Sequence, residues 1–134
     1  MIGFDETITI YNKRYDAATK RTIWPKTTIT GASWAGQQRV TTGEGLTSND
    51  GYSVRVRASS MPAGFLTRDD YVALADASGY WTAQNGDVVI RGEGPEVTAG
   101  ITEITKRFTD CFTVIAVHTD NMRRPLPHLR LEGK

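Results

Sequence analysis

The chain has 134 residues and a mass of 14.8 kDa, which is the size of a single domain. Its 16 Lys and Arg residues balance 15 Asp and Glu residues, so the net charge of +1 excludes a strongly polycationic protein but leaves room for a local basic patch. The single cysteine, Cys111, excludes an internal disulfide and a cysteine-rich zinc site. No apolar run approaches the roughly 18 residues of a membrane span, and the first residues lack the basic start of a signal peptide.

The composition favours β-structure. Thr, Val and Ile total 36 residues against nine for Leu and Met, and β-branched side chains suit a pleated, half-buried surface better than a helix. Thirteen glycines and five prolines interrupt the chain often. We therefore predict a mainly β fold, a small antiparallel barrel or sandwich with one short helix, formed by residues 1–134 as one domain.

The N-terminal part of the chain is expected to be extended. Polar and apolar residues alternate over Glu6–Lys13, which predicts a half-buried strand. A polar hairpin connection at Arg14–Arg21 leads to a strand at Thr22–Ile29, in which Pro25 indicates an edge position or a bulge. A second short extended segment is predicted at Gly31–Val40.

The middle of the chain contains the predicted loop and helix. Thr41–Gly51 is polar and rich in glycine, which is typical of an exposed loop. Tyr52–Ala58 alternates again and is predicted as a strand. Thr67 is a good N-cap residue and is followed by two acidic residues, so we predict a short helix over Arg68–Ala77.

The C-terminal half returns to strand patterns. The Asn85-Gly86 dipeptide predicts a tight hairpin between Tyr80–Ala83 and Asp87–Arg91. The pattern at Ile101–Phe108 fits a helical face, but its many β-branched residues argue against a helix.

The most apolar run of the chain follows. Phe112–His118 is predicted to be a central strand. A basic turn containing prolines, Met122–Pro127, leads to a short terminal strand at His128–Leu131.

No catalytic template fits the sequence. The glycines of Gly86–Gly94 lack the spacing and the strand–turn–helix context of nucleotide-binding motifs, and they indicate turns. Cys111 and His118 are seven positions apart on one predicted strand, so we expect them on opposite faces of the sheet rather than in one metal site with Asp120 or His128. We predict no enzymatic activity, no metal and no cofactor.

A nucleic-acid-binding module of the OB type is an alternative. Such a module stacks bases on exposed aromatic side chains beside arginines. Tyr52 with Arg55 and Arg57, or Trp81 with Arg91, would be the candidates in this sequence. The other interpretation is that the Trp residues belong to the core and the arginines to a solvated face.

Several segments together resemble a family of small proteins from the head-morphogenesis modules of tailed phages and prophages of Gram-positive hosts. The segments are ITIYNKRYDAATKRTIWPKTTITGASW, GYWTAQNGDVVIRGE, DCFTVIAVHTDNMRR and HLRLEGK. An early strand of the type ITIYN, a Trp-bearing segment and a GD-x-V/I-V/I-x-G hairpin recur in this order in that family. The ending is similar too, with a strand, an Asn-Arg-Arg-like turn, a His and a Gly-Lys terminus.

The resemblance implies a virion structural protein of the head–tail connector type, also called neck or head-completion proteins. Such proteins are commonly small β-barrels that assemble as rings between portal and tail. The implied partners are further copies of the chain, portal or adaptor proteins and tail-side neck proteins, with DNA passing through the ring and no membrane. The implied location is the virion, and the host cytoplasm during assembly.

Two segments are candidates for contacts in such a ring. A C-terminal arm over residues 122–134 is predicted to contact a neighbouring subunit or the portal, although a strand of the chain's own barrel stays open as an alternative. Its candidate contact residues are Arg123, Arg124, Leu129, Arg130 and Leu131. The polar loop Thr41–Gly51 is predicted, from topology alone, to project into the channel of the ring. Its candidate residues are Thr42, Glu44, Leu46, Asn49 and Asp50.

Overall fold

A computed structural model of the protein describes residues 6–17, 19–41, 47–74, 79–98, 100–118 and 128–133. The described strands are β1 (Glu6–Tyr11), β2 (Arg14–Asp16), β3 (Arg21–Ile23), β4 (Lys26–Thr41), β5 (Thr47–Arg57), β6 (Val88–Arg91), β7 (Cys111–His118) and β8 (His128–Gly133). Six of them close into an antiparallel barrel in the order β1-β4-β5-β8-β7-β6, and β6 pairs back onto β1. The predicted mainly β fold is confirmed, and it takes the form of a closed barrel.

The barrel interior is filled by alternate residues of its strands. Val54 of β5 lies opposite Leu131 of β8, and Val56 lies opposite Leu129. All four side chains are fully buried. Because successive side chains of a strand point to opposite faces, the residues between them point outward. The interior cluster consists of Ile8, Ile10, Ile29, Ala32, Val54, Val56, Trp81, Ala83, Val89, Phe112, Val114, Leu129 and Leu131.

Strands β4 and β5 form one long hairpin, paired from Ala32↔Val56 to Thr41↔Thr47. Residues 47–51 therefore belong to β5, and the predicted loop over Thr41–Gly51 is wrong for them. The polar composition indicated a loop because these residues supply no apolar face, but backbone pairing with β4 does not require one. Strand β4 is also a single strand, with a bulge against β1 at Gly31, whose φ is 84°.

The predicted hairpin connection at Arg14–Arg21 contains a small sheet of its own. Strands β2 and β3 pair with each other, and they are separate from the barrel. Pro25 lies between β3 and β4, outside both strands, and its carbonyl accepts a hydrogen bond from the Asn12 N–H at 2.9 Å. The proline therefore marks a strand boundary, and the predicted edge or bulge position within a strand is wrong.

The described residues contain two short α-helices, the predicted one and one more. Helix α1 (Arg68–Val72) begins as predicted, because the Thr67 hydroxyl accepts a hydrogen bond from the Asp70 N–H at 3.4 Å. It ends at Val72, before the predicted Ala77, with Ala73 as its C-cap. Helix α2 (Thr102–Thr105) lies within the ambiguous segment, where burial of Ile104 outweighs the low helix propensity of its neighbours.

The Asn85-Gly86 turn is present, but the hairpin predicted around it is wrong. Gly86 has a φ of 96°, and the Asp87 N–H donates to the Gln84 carbonyl at 3.2 Å. Strand β6 pairs with β1 and β7 instead of with the residues before the turn. Trp81 forms an isolated bridge with Phe65. The long-range pairing that closes the barrel therefore decides the partners of β6.

Strand β7 carries a bulge between Val114 and Ala116. Val114 is buried, whereas Ile115 is 55% exposed. The extra residue reverses the alternation, so Cys111 and His118 both lie on the outer face, and the expectation of opposite faces is wrong.

A second hydrophobic cluster covers the outer face of β1 and β6. Tyr11 of β1 with Val88 and Ile90 of β6 packs against Ile104 of α2. The Tyr11 hydroxyl donates to the Pro95 carbonyl at 2.7 Å, and burial raises the pKa of Tyr11 to about 12. The connection between β6 and β7 is thus packed onto the barrel wall.

Gly94 allows this connection to approach the wall closely. Its N–H donates to the Thr9 hydroxyl at 3.1 Å, and a Cβ at this position would overlap the Tyr11 hydroxyl and the Ile90 side chain. We expect Gly94→Ala to lower the free energy of unfolding by about 1–3 kcal/mol, measured by chemical denaturation. Gly100→Ala is the matched control, because a Cβ there meets nothing within 4 Å. Equal losses in the two variants would contradict the proposed close packing.

Candidate assembly surfaces

The first candidate surface is the outer part of the β4–β5 hairpin, residues 36–41 with 47–51, which we call the ribbon. Pairing of β1 with β4 ends at Ala32, and pairing of β8 with β5 ends at Tyr52. Beyond these points, the described strands of the ribbon pair only with each other. At about 3.4 Å per residue the ribbon extends roughly 20 Å past the barrel. Both of its edges offer backbone groups to a partner strand.

The predicted channel loop coincides only partly with this ribbon. Asn49 and Asp50 are in β5, where they pair with Arg39 and Gln38. They are therefore strand residues rather than loop residues. The remaining three candidates, Thr42, Glu44 and Leu46, lie outside the described residues.

The predicted C-terminal arm is wrong where the structure describes it. Strand β8 lies between β5 and β7 in the barrel, and Leu129 and Leu131 are fully buried in the interior. They cannot form an apolar face for a neighbouring subunit. Arg130 is on the outer face of the same strand. Arg123 and Arg124 lie outside the described residues.

The second candidate surface is a groove of about 680 Å³ between the β2–β3 sheet, α1 and the Asn85 turn. Consecutive residues of the β2 segment, from Lys13 to Ala17, line one side of it. A neighbouring depression of about 650 Å³ continues past Arg68 and Asn85 toward β7. The two share Arg68, Gln84 and Asn85, so one surface runs from β2 across α1 to β7.

Arg14 fixes the helix that borders this groove. Its guanidinium donates to the Tyr71 carbonyl at 3.0 Å and to the Leu74 carbonyl, and it lies 5.1 Å from the centre of the Tyr71 ring. A cation at the C-terminal end of a helix satisfies free carbonyls there. The Arg14 side chain is therefore occupied by contacts within the protein, whereas Lys13 and Arg68 are exposed.

Exposed apolar side chains follow the same surface. Tyr15 is 64% exposed, Val72 is 57% exposed, and both line the groove. Ile115 lines the adjoining depression. Three of the four large exposed hydrophobic residues among those described therefore lie along one continuous surface. Clustering of this kind is typical of a protein-binding site.

A buried polar cluster supports the groove from below. The Asp87 carboxylate is fully buried and accepts hydrogen bonds from Asn12 Nδ2 at 2.8 Å, from the Lys13 N–H at 2.8 Å and from the Gln84 N–H at 2.9 Å. Burial raises the pKa of Asp87 to about 6, against the opposing effect of these donors. Apart from the position of Asp87 after a turn, nothing in the sequence indicates this cluster.

The aromatic residues proposed for base stacking belong to the core. Tyr52 stacks on Phe112, with ring centres 5.4 Å apart and nearly parallel planes. Trp81 is 2% exposed, and its Nε1 donates to the Pro62 carbonyl at 3.0 Å. Arg91 forms an ion pair with Glu6 at 2.6 Å. The predicted pairing of an exposed aromatic ring with arginine is therefore wrong for both Tyr52 and Trp81.

The described residues offer little for other chemistry. No group of three His, Cys, Asp or Glu side chains in this part of the chain could hold a metal ion. Neither described α-helix has the length and apolar character of a membrane span.

Comparison with known proteins gives one match. A family described as "Family of unknown function (DUF6751)" matches residues 3–134. No curated protein and no solved structure matches the chain.

Proposed function

Because the chain belongs to the DUF6751 family, whose function is unknown, we propose its function from its own architecture and its resemblance to phage neck proteins. The protein is a structural component of the head–tail connector of a phage or prophage. It assembles as a ring with further copies of itself, links portal or adaptor proteins to tail-side neck proteins, and lets DNA pass through the ring. It acts in the virion, after assembly in the host cytoplasm, and it is not an enzyme.

The ribbon is the observation that carries this proposal. A closed barrel presents no free strand edge, so the described strand edges that can pair with another copy belong to the ribbon and to the small β2–β3 sheet. A two-stranded ribbon is at best marginally stable when it stands alone in water. Packing against neighbouring subunits would supply the missing contacts.

A ring also requires two different patches on each subunit. In a closed ring, one patch of each copy contacts a different patch of the next copy. The ribbon provides one such patch. The groove beside β2 and α1, with the exposed Tyr15 and Val72, provides an independent surface for a portal-side or tail-side protein.

The alternative, an OB-like module for single-stranded nucleic acid, has less support. An OB-fold has five strands and binds bases on exposed aromatic side chains, whereas this barrel has six strands, buries Trp81 and packs the partly buried Tyr52 against its core. The arginines on the outer face of the barrel are the observation that still favours this alternative.

The proposal is tested with particles of the phage or prophage that encodes the chain. We expect quantitative mass spectrometry of purified virions to find the protein in a fixed ratio to the portal protein. A variant in which residues 38–50 are replaced by Asn-Gly keeps the paired Gln37 and Gly51 next to a hairpin turn. This variant should fold, as judged by circular dichroism, but fail to enter particles, which then lack tails.

Lys106→Ala, an exposed change outside the ribbon, is the control and should enter particles normally. Absence of the protein from tailed virions would refute the proposed function. Normal incorporation of the shortened ribbon would refute the role of the ribbon in assembly.

A further inference from the structure

The outer face of β5, β8 and β7 carries a row of basic side chains. Arg55 of β5 lies directly opposite Arg130 of β8, and Arg130 lies opposite His118 of β7. Residues that face each other across antiparallel strands have Cβ atoms about 4.5–5.5 Å apart. Three basic side chains on adjacent strands therefore form one line across the barrel wall.

This row has a charge excess. Arg57 lies two positions along β5, on the same face as Arg55, but it already interacts with other groups of the protein and is not counted in this excess. The acidic residue beside the row is Glu132, which contacts Arg130 Nη2 at 2.6 Å and His118 Nε2 at 3.1 Å. Burial acts to raise the pKa of Glu132, but hydrogen bonds and charges from His118 and Arg130 outweigh it and lower this pKa. Within the described residues, Arg55 has no ion-pair partner.

The arrangement is unfavourable for the fold by itself. Like charges directly opposite each other on neighbouring strands destabilise a sheet. Arginine in particular presents a planar set of donors that matches phosphate and carboxylate groups. A polyanion that contacts this face would relieve the repulsion between Arg55 and Arg130.

We propose that the outer face of β5, β8 and β7 binds the phosphate backbone of double-stranded DNA through Arg55 and Arg130. An acidic protein surface is less well matched, because protein interfaces depend on buried apolar or aromatic anchors and the row itself contains none. Phosphate contacts need only well-placed donors and carry no base sequence. This inference goes beyond the proposed function and does not depend on ring formation.

The expected binding is independent of sequence and strongly dependent on salt. Two arginines that each neutralise one phosphate give a slope of about −1.8 in a plot of log affinity against log salt concentration. A single barrel binds weakly with so few contacts. Several copies in a ring would add their contacts and raise the apparent affinity.

The experiment measures the fluorescence anisotropy of a labelled DNA duplex titrated with the full chain at several salt concentrations. We expect Arg55→Glu to weaken binding by about tenfold or more and to reduce the salt slope by about one. Arg55→Lys keeps the charge and should retain most of the binding. Lys106→Glu, an exposed charge reversal beside α2, is the control and should bind like the original chain.

Thermal unfolding separates this role from damage to the fold. Since Arg55→Glu replaces a repulsive pair with an attractive one, its melting temperature should equal or exceed that of the original chain while DNA binding falls. Absence of binding at low salt, or equal losses in Arg55→Glu and Lys106→Glu, would overturn the proposal. So would binding of labelled polyglutamate, but not of DNA, in an Arg55-dependent manner. Rings that form without DNA binding would refute this inference alone.

Discussion

Asp87→Ala is expected to destabilise the protein by about 3–5 kcal/mol in the free energy of unfolding, measured by urea denaturation followed by circular dichroism. The change removes the acceptor of three hydrogen bonds, from Asn12, Lys13 and Gln84, in a fully buried position. Each buried donor left without a partner costs about 1–3 kcal/mol. Since small domains are stable by only about 5–15 kcal/mol, this loss is a large share of the total stability.

Two further variants show whether the hydrogen bonds are responsible. Asp87→Asn keeps one acceptor but turns an NH2 group toward buried donors, so its effect should be smaller than that of Asp87→Ala and still clearly destabilising. Asp110→Ala removes an exposed carboxylate that lies 3.6 Å from Arg91 and should change stability by less than about 1 kcal/mol. Similar losses in Asp87→Ala and Asp110→Ala would contradict the importance of the buried cluster.

The same carboxylate predicts a pH dependence. The pKa of Asp87 is about 6 in the folded protein, whereas its ordinary value is 3.8. Between these two pH values the folded state therefore binds the proton more tightly than the unfolded chain does. The contribution of Asp87 to stability is therefore greatest below pH 3.8 and is lost as the pH rises through 6. The stability difference between the original chain and Asp87→Asn should grow by about 1 kcal/mol from pH 7 to pH 5. A difference that shrinks on acidification would contradict this.

Leu131→Ala is expected to lower the free energy of unfolding by about 2–5 kcal/mol. Leu131 is fully buried and lies between Val54 of β5 and Val117 of β7, so the change leaves a cavity in the barrel interior. Chemical denaturation measures the loss. Glu132→Ala, the next residue on the outer face, should cost less than about 1 kcal/mol, because its ion pairs are partly exposed.

Removal of the whole C-terminal segment from Met122 onward should prevent folding. Strand β8 pairs with β5 on one side and with β7 on the other, so its loss opens the barrel and exposes the interior. A truncated chain that retains the circular dichroism spectrum and melting temperature of the original would show that β8 is dispensable. That outcome would restore the interpretation of this segment as an interaction arm.

Local sequence patterns were sufficient for much of the barrel. The alternation in β1 and β5, the apolar run of β7 and the Thr67 cap each predicted an element that the structure contains. These signals succeed because burial of one strand face, or a hydrogen bond to a helix N-terminus, needs only residues that are close in sequence.

Patterns failed where distant residues decide the outcome. Asn85-Gly86 predicted a turn correctly, but the partners of β6 come from β1 and β7. The ribbon was missed because its polar residues give no alternation, and the second helix was missed because only the packing of Ile104 against Tyr11 favours it. The sequence predicted β8 as a strand but did not identify β5 and β7 as its neighbours.

The candidate sites show the same division. The sequence by itself determined a mainly β domain, the outward position of Arg55 and Arg57 on their strand, and a balanced net charge without a catalytic motif. Only the tertiary structure placed Arg55 opposite Arg130, buried Leu131, packed Tyr52 against the core, and brought Asn12 and Gln84 to Asp87. The alternation of a strand is a local property of the backbone. Strand order, register and the bulge in β7 follow from the barrel as a whole, because the lowest free energy depends on how all the strands fill one interior.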